Sequence, residues 1–436
     1  MTGAESGAEL WARAKELIPG GSMLLSKKSE MYMPVGWPAY FTKTAGCSVW
    51  DMDGREFIDV SLMGIGTNIL GYSNPKVDAA VHVTVDNGNL STLNAPEEVF
   101  LAERLVELHP WADMVRFARS GGEAGAIAVR IARAASGKDK VAFCGYHGWH
   151  DWYLSANLGS TDSLDGHLLP GLEPHGVPRA LAGSAVPFQF NDLEQLREIL
   201  DSGDIGVIYM EVQRSTPPAP GFLEGVRELA TRHNAVLVFD ECTSGFRRNL
   251  GGLHLFYGVD PDIATFGKTL GNGYAITAVI GRRDIMQAAQ SSFISSTFWT
   301  ERIGPTAALA TLEVMEDLDA PQQIHATGVQ VQKTWEELGA LHGLTVTTGG
   351  LPALANFTIE GLDPLLVKTY ITTRMLEYGY LASTSLYVSM AHTPEILEQY
   401  FSQLSPVFKE LASMDDSELA KHLPHGPAQS GFKRLT

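Results

Sequence analysis

The sequence is poor in cysteine and in basic residues, and both shortages narrow the range of functions. Its 436 residues include only three cysteines, Cys47, Cys144 and Cys242, and these show neither CxxC nor Cys/His ligand spacing. We therefore expect no disulfide framework and no bound metal. The 32 basic side chains are outnumbered by 50 acidic ones, which gives a net charge of −18. Such a surface is unsuited to binding the phosphates of nucleic acid or of anionic lipid.

Long apolar runs are also missing. No stretch stays apolar for the roughly 20 residues that a bilayer crossing needs. The N-terminus does not show a basic segment followed by an apolar run, which is the pattern of a secretory signal. We therefore expect a cytoplasmic protein that has neither a membrane nor a nucleic acid among its partners.

Strand and helix patterns predict an α/β fold with two domains. The chain is 44% hydrophobic and longer than the roughly 250–300 residues at which one core usually divides. Between Met114 and Ile280, apolar strands alternate with helical or loop stretches, as in βα units whose helices cover a mostly parallel sheet. The predicted strands read MVRFA, KVAFC, IGVIYM, AVLVFD and DIATF. We expect a large domain over 51–318 and a smaller α+β domain over 319–436, which the N-terminal segment 1–50 joins.

Three local patterns add detail to this outline. Residues 7–18 have the apolar spacing of an amphipathic helix, which Pro19-Gly20-Gly21 should end. Asp53-Gly54 lies between two β-prone stretches and predicts a hairpin that opens the large domain. The segment Leu154–Gln189 is rich in Gly, Pro, Ser and His, which indicates a long irregular excursion at the rim of a site.

Two of the predicted strands deliver reactive side chains at their carboxyl ends, where open α/β sheets bind ligands. The strand Ala235–Phe239 delivers Asp240, and the strand Pro261–Phe266 is followed by Lys268 among glycines. A partly buried lysine loses its proton readily because desolvation disfavours the charged form, so it can hold an aldehyde cofactor as a Schiff base. A carboxylate such as Asp240 keeps a pyridine nitrogen protonated, which makes the ring an electron sink.

A third motif offers an anion site, and a fourth offers an aromatic ring. Ser120-Gly121-Gly122 lies between the strand MVRFA and a helix, where backbone N–H groups can cradle a phosphate. Tyr146 or Trp149, which follow the strand KVAFC, could stack on a flat ring. Each motif alone has an ordinary explanation, because a lysine after glycine is usually a surface residue and a Ser-Gly-Gly stretch is usually a turn. Their order at consecutive strand ends favours a shared site.

These motifs resemble a known family, the class III (fold-type I) aminotransferases dependent on pyridoxal phosphate, and within it the glutamate-1-semialdehyde 2,1-aminomutases. The resemblance spans nearly the whole chain. It rests on LIPGG, VWDMDGREFIDV, VRFARSGGEA, GKDKVAFCGYHG, VFDECTSGFR and PDIATFGKTLGNG. It implies a seven-stranded, mostly parallel sheet between helices, pyridoxal 5'-phosphate as cofactor, and a homodimer with shared active sites.

The resemblance also assigns roles by position. It implies Schiff-base and proton-transfer work for Lys268 and pairing with the pyridine nitrogen for Asp240. Gly121 and Gly122 would contact the phosphate, with help from Ser120.

Four further positions take roles from the same resemblance. Tyr146 would stack on the ring, and Glu211 matches an active-site glutamate of the family. Cys242 stands behind the ring where valine is usual. Thr297 matches a threonine that reaches the phosphate of the neighbouring subunit's cofactor.

The chain departs from the aminomutases on segments that face the substrate. Gly122 replaces the usual threonine, and Lys27 stands where the aminomutases have an arginine for the substrate carboxylate, although lysine lacks the bidentate fork. The run STSLYVSMAH has no counterpart of a C-terminal glutamate. We therefore expect the same cofactor chemistry on a different substrate, with Lys27, Trp37 and Trp299 as candidate substrate-facing residues.

The predicted function is an aminotransferase that moves an amino group from an amino donor to an aldehyde or ketone acceptor. The first alternative is an isomerase of the aminomutase type, which returns the amino group to a neighbouring carbon of the same molecule. A second alternative is a regulatory relative that binds the cofactor without turnover, which the intact pair of Lys268 and Asp240 disfavours. The predicted partners are thus small molecules and a second copy of the chain.

Overall fold

The structure, a computed structural model, describes residues 6–160, 162–167, 170–213 and 215–430. The chain divides into two compact units. The central unit is Pro75–Gln322, and the outer unit combines the residues up to Asn74 with those from Gln323 onward.

The helices and strands have the following bounds. The α-helices are α1 (Gly7–Leu17), α2 (Met63–Gly66), α3 (Pro75–Asp86), α4 (Pro96–Leu108), α5 (Gly121–Ser136), α6 (Asp151–Leu154), α7 (Ala156–Gly159), α8 (Leu193–Asp201), α9 (Phe222–Arg232), α10 (His254–Tyr257), α11 (Arg283–Met286), α12 (Ile303–Asp317), α13 (Ala320–His342), α14 (Pro364–Glu377), α15 (Pro394–Leu411) and α16 (Asp416–Lys421). The strands are β1 (Phe41–Ala45), β2 (Ser48–Asp51), β3 (Glu56–Asp59), β4 (Met114–Ala118), β5 (Lys140–Cys144), β6 (Ala185–Pro187), β7 (Ile205–Glu211), β8 (Val236–Glu241), β9 (Ile263–Phe266), β10 (Thr277–Gly281), β11 (Val346–Gly349), β12 (Leu354–Ile359), β13 (Tyr380–Leu381) and β14 (Ser385–Tyr387). Short 3₁₀ turns are Leu25–Lys27, Ser29–Met31, Asp165–His167, Arg179–Leu181, Lys268–Gly271, Gln287–Ser291 and Thr297–Thr300.

The central unit is built on a sheet that has seven strands within the described residues, in the order β4-β10-β9-β8-β7-β5-β6. The neighbours from β9 to β6 run parallel, whereas β10 is antiparallel to both β9 and β4. Every residue of β7 and β8 is buried, as expected for apolar strands in the middle of a covered sheet. Helix α5 packs against β7, β8 and β9 and buries Ile127, Ala128 and Ile131. The expected α/β fold class is confirmed.

The predicted strands agree with the sheet, but two of its seven described strands, β6 and β10, were missed. MVRFA and KVAFC coincide with β4 and β5, and the three other predicted strands match β7, β8 and β9 to within two residues at each end. Strand β10 was not predicted. Its antiparallel pairing with β4 joins segments far apart in the chain, which local periodicity does not reveal.

The outer unit contains the predicted hairpin. Asp51 Oδ1 accepts the N–H groups of Asp53 and Arg55 at 2.9 Å each, and Gly54 takes the positive φ of 81° that the turn requires. The hairpin was expected to open the large domain, and this was wrong. It belongs to the outer unit, because β3 pairs in parallel with β13, and that unit runs to Asn74 rather than ending at residue 50.

The predicted excursion between Leu154 and Gln189 is partly regular. It contains α7, two 3₁₀ turns and the short strand β6, which pairs with β5. Residues 161, 168 and 169 of this segment lie outside the described part of the chain. Within the described residues, none of the helices combines the length and the apolar character that a bilayer crossing demands.

Candidate active site

The carboxyl ends of four neighbouring strands carry the polar residues that the sequence singled out. Tyr146 follows β5, Glu211 ends β7, Asp240 lies near the end of β8, and Lys268 follows β9. Glu211 and Asp240 are direct partners in the register of β7 and β8. Glu211 Oε2 also accepts the backbone N–H of Tyr146 at 3.2 Å, so the ends of β5, β7 and β8 are tied together. The sheet therefore gathers these four residues along one edge.

Asp240 is a buried carboxylate that accepts several hydrogen bonds. Oδ1 accepts the N–H of Cys242 and the hydroxyl of Thr265, each at 3.1 Å, and Oδ2 lies 2.8 Å from His147 Nδ1. Burial acts to raise the pKa of Asp240, but the hydrogen bond and charge of His147 and the N–H of Cys242 outweigh it and leave that pKa below its ordinary value. Asp240 is therefore ionised near neutral pH, as a partner for a protonated ring nitrogen must be.

The sequence reasoning missed His147. Its Nε2 lies 3.1 Å from the carbonyl oxygen of Cys144, and its Nδ1 faces the carboxylate of Asp240. Both partners are acceptors, so an imidazolium with a proton on each nitrogen satisfies both. The signal was present, since His147 directly follows Tyr146 at the end of β5, but only the fold brings it to Asp240.

Lys268 lies in a 3₁₀ turn directly after β9 and Gly267. Its Nζ donates a 2.6 Å hydrogen bond to Thr243 Oγ1, and the side chain is half-buried. Its backbone φ is +22°, in a region that residues other than glycine seldom adopt and that is enriched at functional sites. Thr243 is a second contact that the sequence did not predict, and it aims the amine of Lys268 toward the end of β8.

The N-terminus of α5 forms the predicted anion cradle. Gly121 and Gly122 are the first residues of the helix and Ser120 is its N-cap, so N–H groups without helical acceptors lie there. A side chain would be crowded at Gly122 but would make only ordinary contact at Gly121. A Cβ on Gly121 would lie 3.7 Å from Cys242 Sγ, and one on Gly122 would lie 2.7 Å from His150 Nδ1.

Cys242 links this cradle to the lysine segment. A Cβ on Gly267 would lie 3.4 Å from Cys242 Sγ, so the sulfur lies between the start of α5 and the residue before Lys268. Burial raises the pKa of Cys242 well above its ordinary value, and the nearby carboxylate of Asp240 raises it further. The side chain is therefore a neutral thiol. It can pack against a flat ring as valine would, but it is a poor nucleophile.

Thr297 and Trp299 lie on one turn of the central unit. Thr297 is exposed, whereas the indole N–H of Trp299 donates to Glu123 Oε1 at 3.1 Å. Trp299 therefore lies beside the first turn of α5.

The two other predicted substrate residues belong to the outer unit. Lys27 is exposed in the turn Leu25–Lys27. Trp37 stacks on Tyr32 with a centroid distance of 4.2 Å and an interplanar angle of 4°. The ring of Tyr32 in turn lies 5.8 Å from the ammonium of Lys368. These contacts give Trp37 a packing role within its own unit.

Comparisons with known proteins show the family. Residues 32–350 match the family model described as aminotransferase class-III. The chain is 38% identical over 418 residues to a glutamate-1-semialdehyde 2,1-aminomutase of Methanothrix thermoacetophila, covering 90% of this chain and 94% of the relative. It is 32% identical over 421 residues to a 3-aminobutyryl-CoA aminotransferase of Cloacimonas acidaminovorans, covering 91% and 96%.

A solved structure described as a transaminase with PLP bound is also similar. It superposes with a TM-score of 0.82 and 26% identity, covering 93% of this chain and 97% of that one. The family model spans well over half of the sequence, so the expected family, the enzymatic nature of the chain and its cofactor are confirmed. The chain belongs to the class-III aminotransferase family, whose enzymes use pyridoxal phosphate.

Proposed function

We propose that this aminotransferase holds its cofactor at the carboxyl edge of the central sheet, with Lys268 as the lysine that binds it as a Schiff base. The observation that carries the proposal is the position of Cys242. Its sulfur lies within van der Waals reach of positions on both Gly121 and Gly267, and its N–H binds Asp240. An anion cradle, a buried carboxylate and the segment of a lysine thus lie around one side chain, that of Cys242.

The residues at this edge fit the parts of pyridoxal phosphate. The phosphate would bind the N–H groups of Gly121 and Gly122, with help from the Ser120 side chain, and the absence of side chains on the two glycines leaves the helix terminus open. The ring would lie between Tyr146 and Cys242. When bound, the cofactor supplies an aldehyde that exchanges amines and a ring that withdraws electrons from them.

The chain's own groups would hold and move the protons of the reaction. Asp240, kept ionised by His147, would hold a proton on the ring nitrogen. Lys268 Nζ, once freed by an amino donor, would take the proton from the α-carbon of the donor and return it on the way to product. Glu211 lies next to Asp240 in register, and we propose that it borders the substrate.

We propose a substrate other than glutamate-1-semialdehyde for the second half-reaction, namely an aldehyde or ketone acceptor of different shape. The support is in the sequence, where Lys27 replaces an arginine and Gly122 replaces a threonine. Of the three candidate substrate-facing residues, Trp37 is stacked on Tyr32 and the Trp299 indole is bound by Glu123, which leaves Lys27 as the one that we propose for the substrate. Lys27 would attract an anionic group as a point charge rather than by a bidentate fork.

The alternative outcome is an amino shift within one molecule. The 38% identity with a protein named as an aminomutase keeps this function as the second candidate. The two reactions need the same cofactor residues, so the discriminating experiment is chemical. Enzyme in its amino-loaded form is supplied with glutamate-1-semialdehyde and no other amine. Catalytic accumulation of 5-aminolevulinate supports the isomerase, whereas at most one turnover per site supports the aminotransferase.

The proposed aminotransferase activity is tested by a screen of donors in single half-reactions, read as loss of the cofactor's visible absorbance. A donor that bleaches the wild-type enzyme should leave Lys268→Ala unchanged. Lys76→Ala is the matched control, because Lys76 is an exposed lysine of the same unit that pairs with Asp317. Equal bleaching by wild type and Lys268→Ala would exclude the proposed role of Lys268.

We further propose a cytoplasmic homodimer in which Thr297 contacts the cofactor of the neighbouring subunit. Several large apolar side chains of the central unit are exposed in the single chain, including Leu93 at 82% and Phe293 at 87%. The proposal requires these side chains to form one contiguous patch, which is what marks a protein interface. Sedimentation of the wild type should give twice the mass of the chain, and Phe293→Asp should shift the population toward the monomer.

A further inference from the structure

Glu123 connects the predicted phosphate cradle to the turn that carries Thr297. Its Oε2 accepts the backbone N–H groups of Arg119 and Ser120 at 3.0 and 2.9 Å. Its Oε1 accepts the indole N–H of Trp299 at 3.1 Å. One carboxylate therefore holds both the backbone that leads into α5 and the tryptophan in the turn Thr297–Thr300.

Arg119 makes a second connection between the same two segments. Its Nη2 donates to the carbonyl oxygens of Trp299 and Glu301 at 3.3 and 2.6 Å, and it pairs with Glu301 Oε1 at 3.1 Å. The Arg119 and Glu301 side chains are only 14% and 16% exposed. Because Arg119 directly precedes the cradle in sequence, the backbone that would bind an anion is continuous with the residue that holds the turn.

The Glu123 carboxylate is ionised in this setting. Burial acts to raise its pKa, but the N–H of Arg119, the indole of Trp299 and Ser120 together hold that pKa below its ordinary value. The hydrogen bond from Trp299 is therefore charge-assisted, which makes it stronger than a neutral one. Any shift of the Ser120–Gly122 backbone toward a bound anion moves Glu123 and, through it, Trp299.

We infer that Trp299 is a positioning residue, which couples anion binding at the start of α5 to the order of the turn Thr297–Thr300. The inference rests on the proposed cofactor site at Ser120–Gly122. Without an anion, the N–H groups of Gly121 and Gly122 are solvated, and Glu123 and Arg119 hold the turn. With an anion bound, the backbone of Ser120–Gly122 is held by the anion as well as by Glu123, and the turn Thr297–Thr300 is held more tightly. By linkage, the ordered turn must strengthen anion binding by the same factor by which a bound anion favours the ordered turn.

The test is hydrogen exchange on the full-length apoenzyme, with and without pyridoxal 5'-phosphate and, in parallel, with inorganic phosphate. In the wild type, both probes should slow amide exchange in peptides that cover 119–125 and in those that cover 293–302. In Trp299→Phe, which keeps an aromatic ring but loses the N–H, slowing should persist in 119–125 and be weaker than in the wild type in 293–302, where only the proposed contact of Thr297 with the neighbouring subunit's cofactor remains. The variant should also bind pyridoxal 5'-phosphate about fivefold more weakly, the scale of one hydrogen bond. Trp50→Phe, in the outer unit, is the control and should behave as wild type.

The outcomes separate this inference from the proposed function. If pyridoxal 5'-phosphate leaves exchange in 119–125 unchanged in the wild type, the proposed cofactor site itself is wrong. If it slows 119–125 but not 293–302 in the wild type, the site stands and the coupling is overturned. If Trp299→Phe retains the full slowing in 293–302 and the wild-type affinity, Trp299 does not carry the coupling.

Discussion

His147 and Asp240 form a buried pair whose nearest atoms, Nδ1 and Oδ2, are 2.8 Å apart. The second nitrogen of His147 donates to the carbonyl oxygen of Cys144, so this ring is fixed from both sides. Its cationic form stabilises the ionised carboxylate, and the proposed task of Asp240 depends on that charge. The family motifs mark Asp240, but its ionisation is set by this neighbour.

We predict that His147→Asn lowers activity most strongly at acid pH. The asparagine amide can donate to Asp240 but carries no charge, so the pKa of Asp240 should rise. Because Asp240 is active when ionised, the acid limb of the pH–activity profile should move to higher pH, with a loss of roughly 10-fold or more in kcat/KM near neutrality. The control is His175→Asn, a change at an exposed histidine. An unchanged acid limb in His147→Asn would contradict the proposed role of His147.

A second prediction concerns stability and His109, a buried residue of the central unit. Its Nδ1 lies 2.7 Å from the carbonyl oxygen of Leu105, and its Nε2 accepts the N–H of Gly252 at 2.9 Å. Burial is the main cause that lowers the pKa of His109 to about 4. In the unfolded chain this histidine binds a proton below about pH 6.5, whereas in the folded chain it stays neutral until about pH 4. The unfolded state therefore binds more protons in this window, and stability falls as the pH falls.

The size of this effect is about 3 kcal/mol of unfolding free energy between pH 6.5 and pH 4. His109→Gln keeps a donor and an acceptor but does not titrate. Urea unfolding at several pH values should therefore show a weaker loss of stability on acidification in the variant than in the wild type. Parallel pH dependences of the two proteins would show that His109 binds its proton over the same pH range in the folded and the unfolded chain, which would contradict the lowered pKa.

A third prediction concerns the glycine that departs from the family. A Cβ on Gly122 would lie 2.7 Å from His150 Nδ1, closer than side chains tolerate. Gly122→Thr should therefore destabilise the protein by about 1–3 kcal/mol, the usual cost of overpacking, and weaken cofactor binding. The double variant Gly122→Thr/His150→Ala should regain most of both losses, because the alanine vacates the space. Equal stability of Gly122→Thr and wild type would show that His150 moves freely.

A fourth prediction is that replacing Cys242 by valine changes the activity little. Its thiol is neutral because burial and Asp240 raise its pKa, and its main contribution is shape. Cys242→Val should retain activity within about threefold, since volume-conserving exchanges usually cost under about 1.5 kcal/mol. Steady-state kinetics of the two proteins test this. A loss of two orders of magnitude would mean that the thiol takes part in the reaction.

Much of the fold could be predicted from the sequence, because the patterns that indicate its strands lie within short segments of the chain. Buried strands such as β7 and β8 are continuous apolar runs, and residues at their ends must reach one edge of a parallel sheet. Asp240 and Lys268 could be placed in this way. The roles of β10 and of the hairpin could not, because their pairings join segments distant in the chain, as β3 with β13.

Contacts of residues outside any recognisable motif could not be predicted from the sequence either. His147, Thr243 and Glu123 act through side-chain geometry that the fold creates, and each looks like an ordinary residue in the sequence. Trp299 was predicted from the sequence to face the substrate. Its indole N–H is engaged by Glu123, a contact between residues far apart in the chain that spacing rules do not reach.

The most direct test of the central claim is borohydride reduction of the holoenzyme, followed by proteolysis and mass mapping of the tagged lysine. Reduction converts a lysine imine into a stable amine, so the tag marks the residue that holds the cofactor. The account predicts a single tag on the peptide that contains Lys268, and none in Lys268→Ala. A tag on another lysine, or a wild-type enzyme that is active and carries no tag, would contradict it.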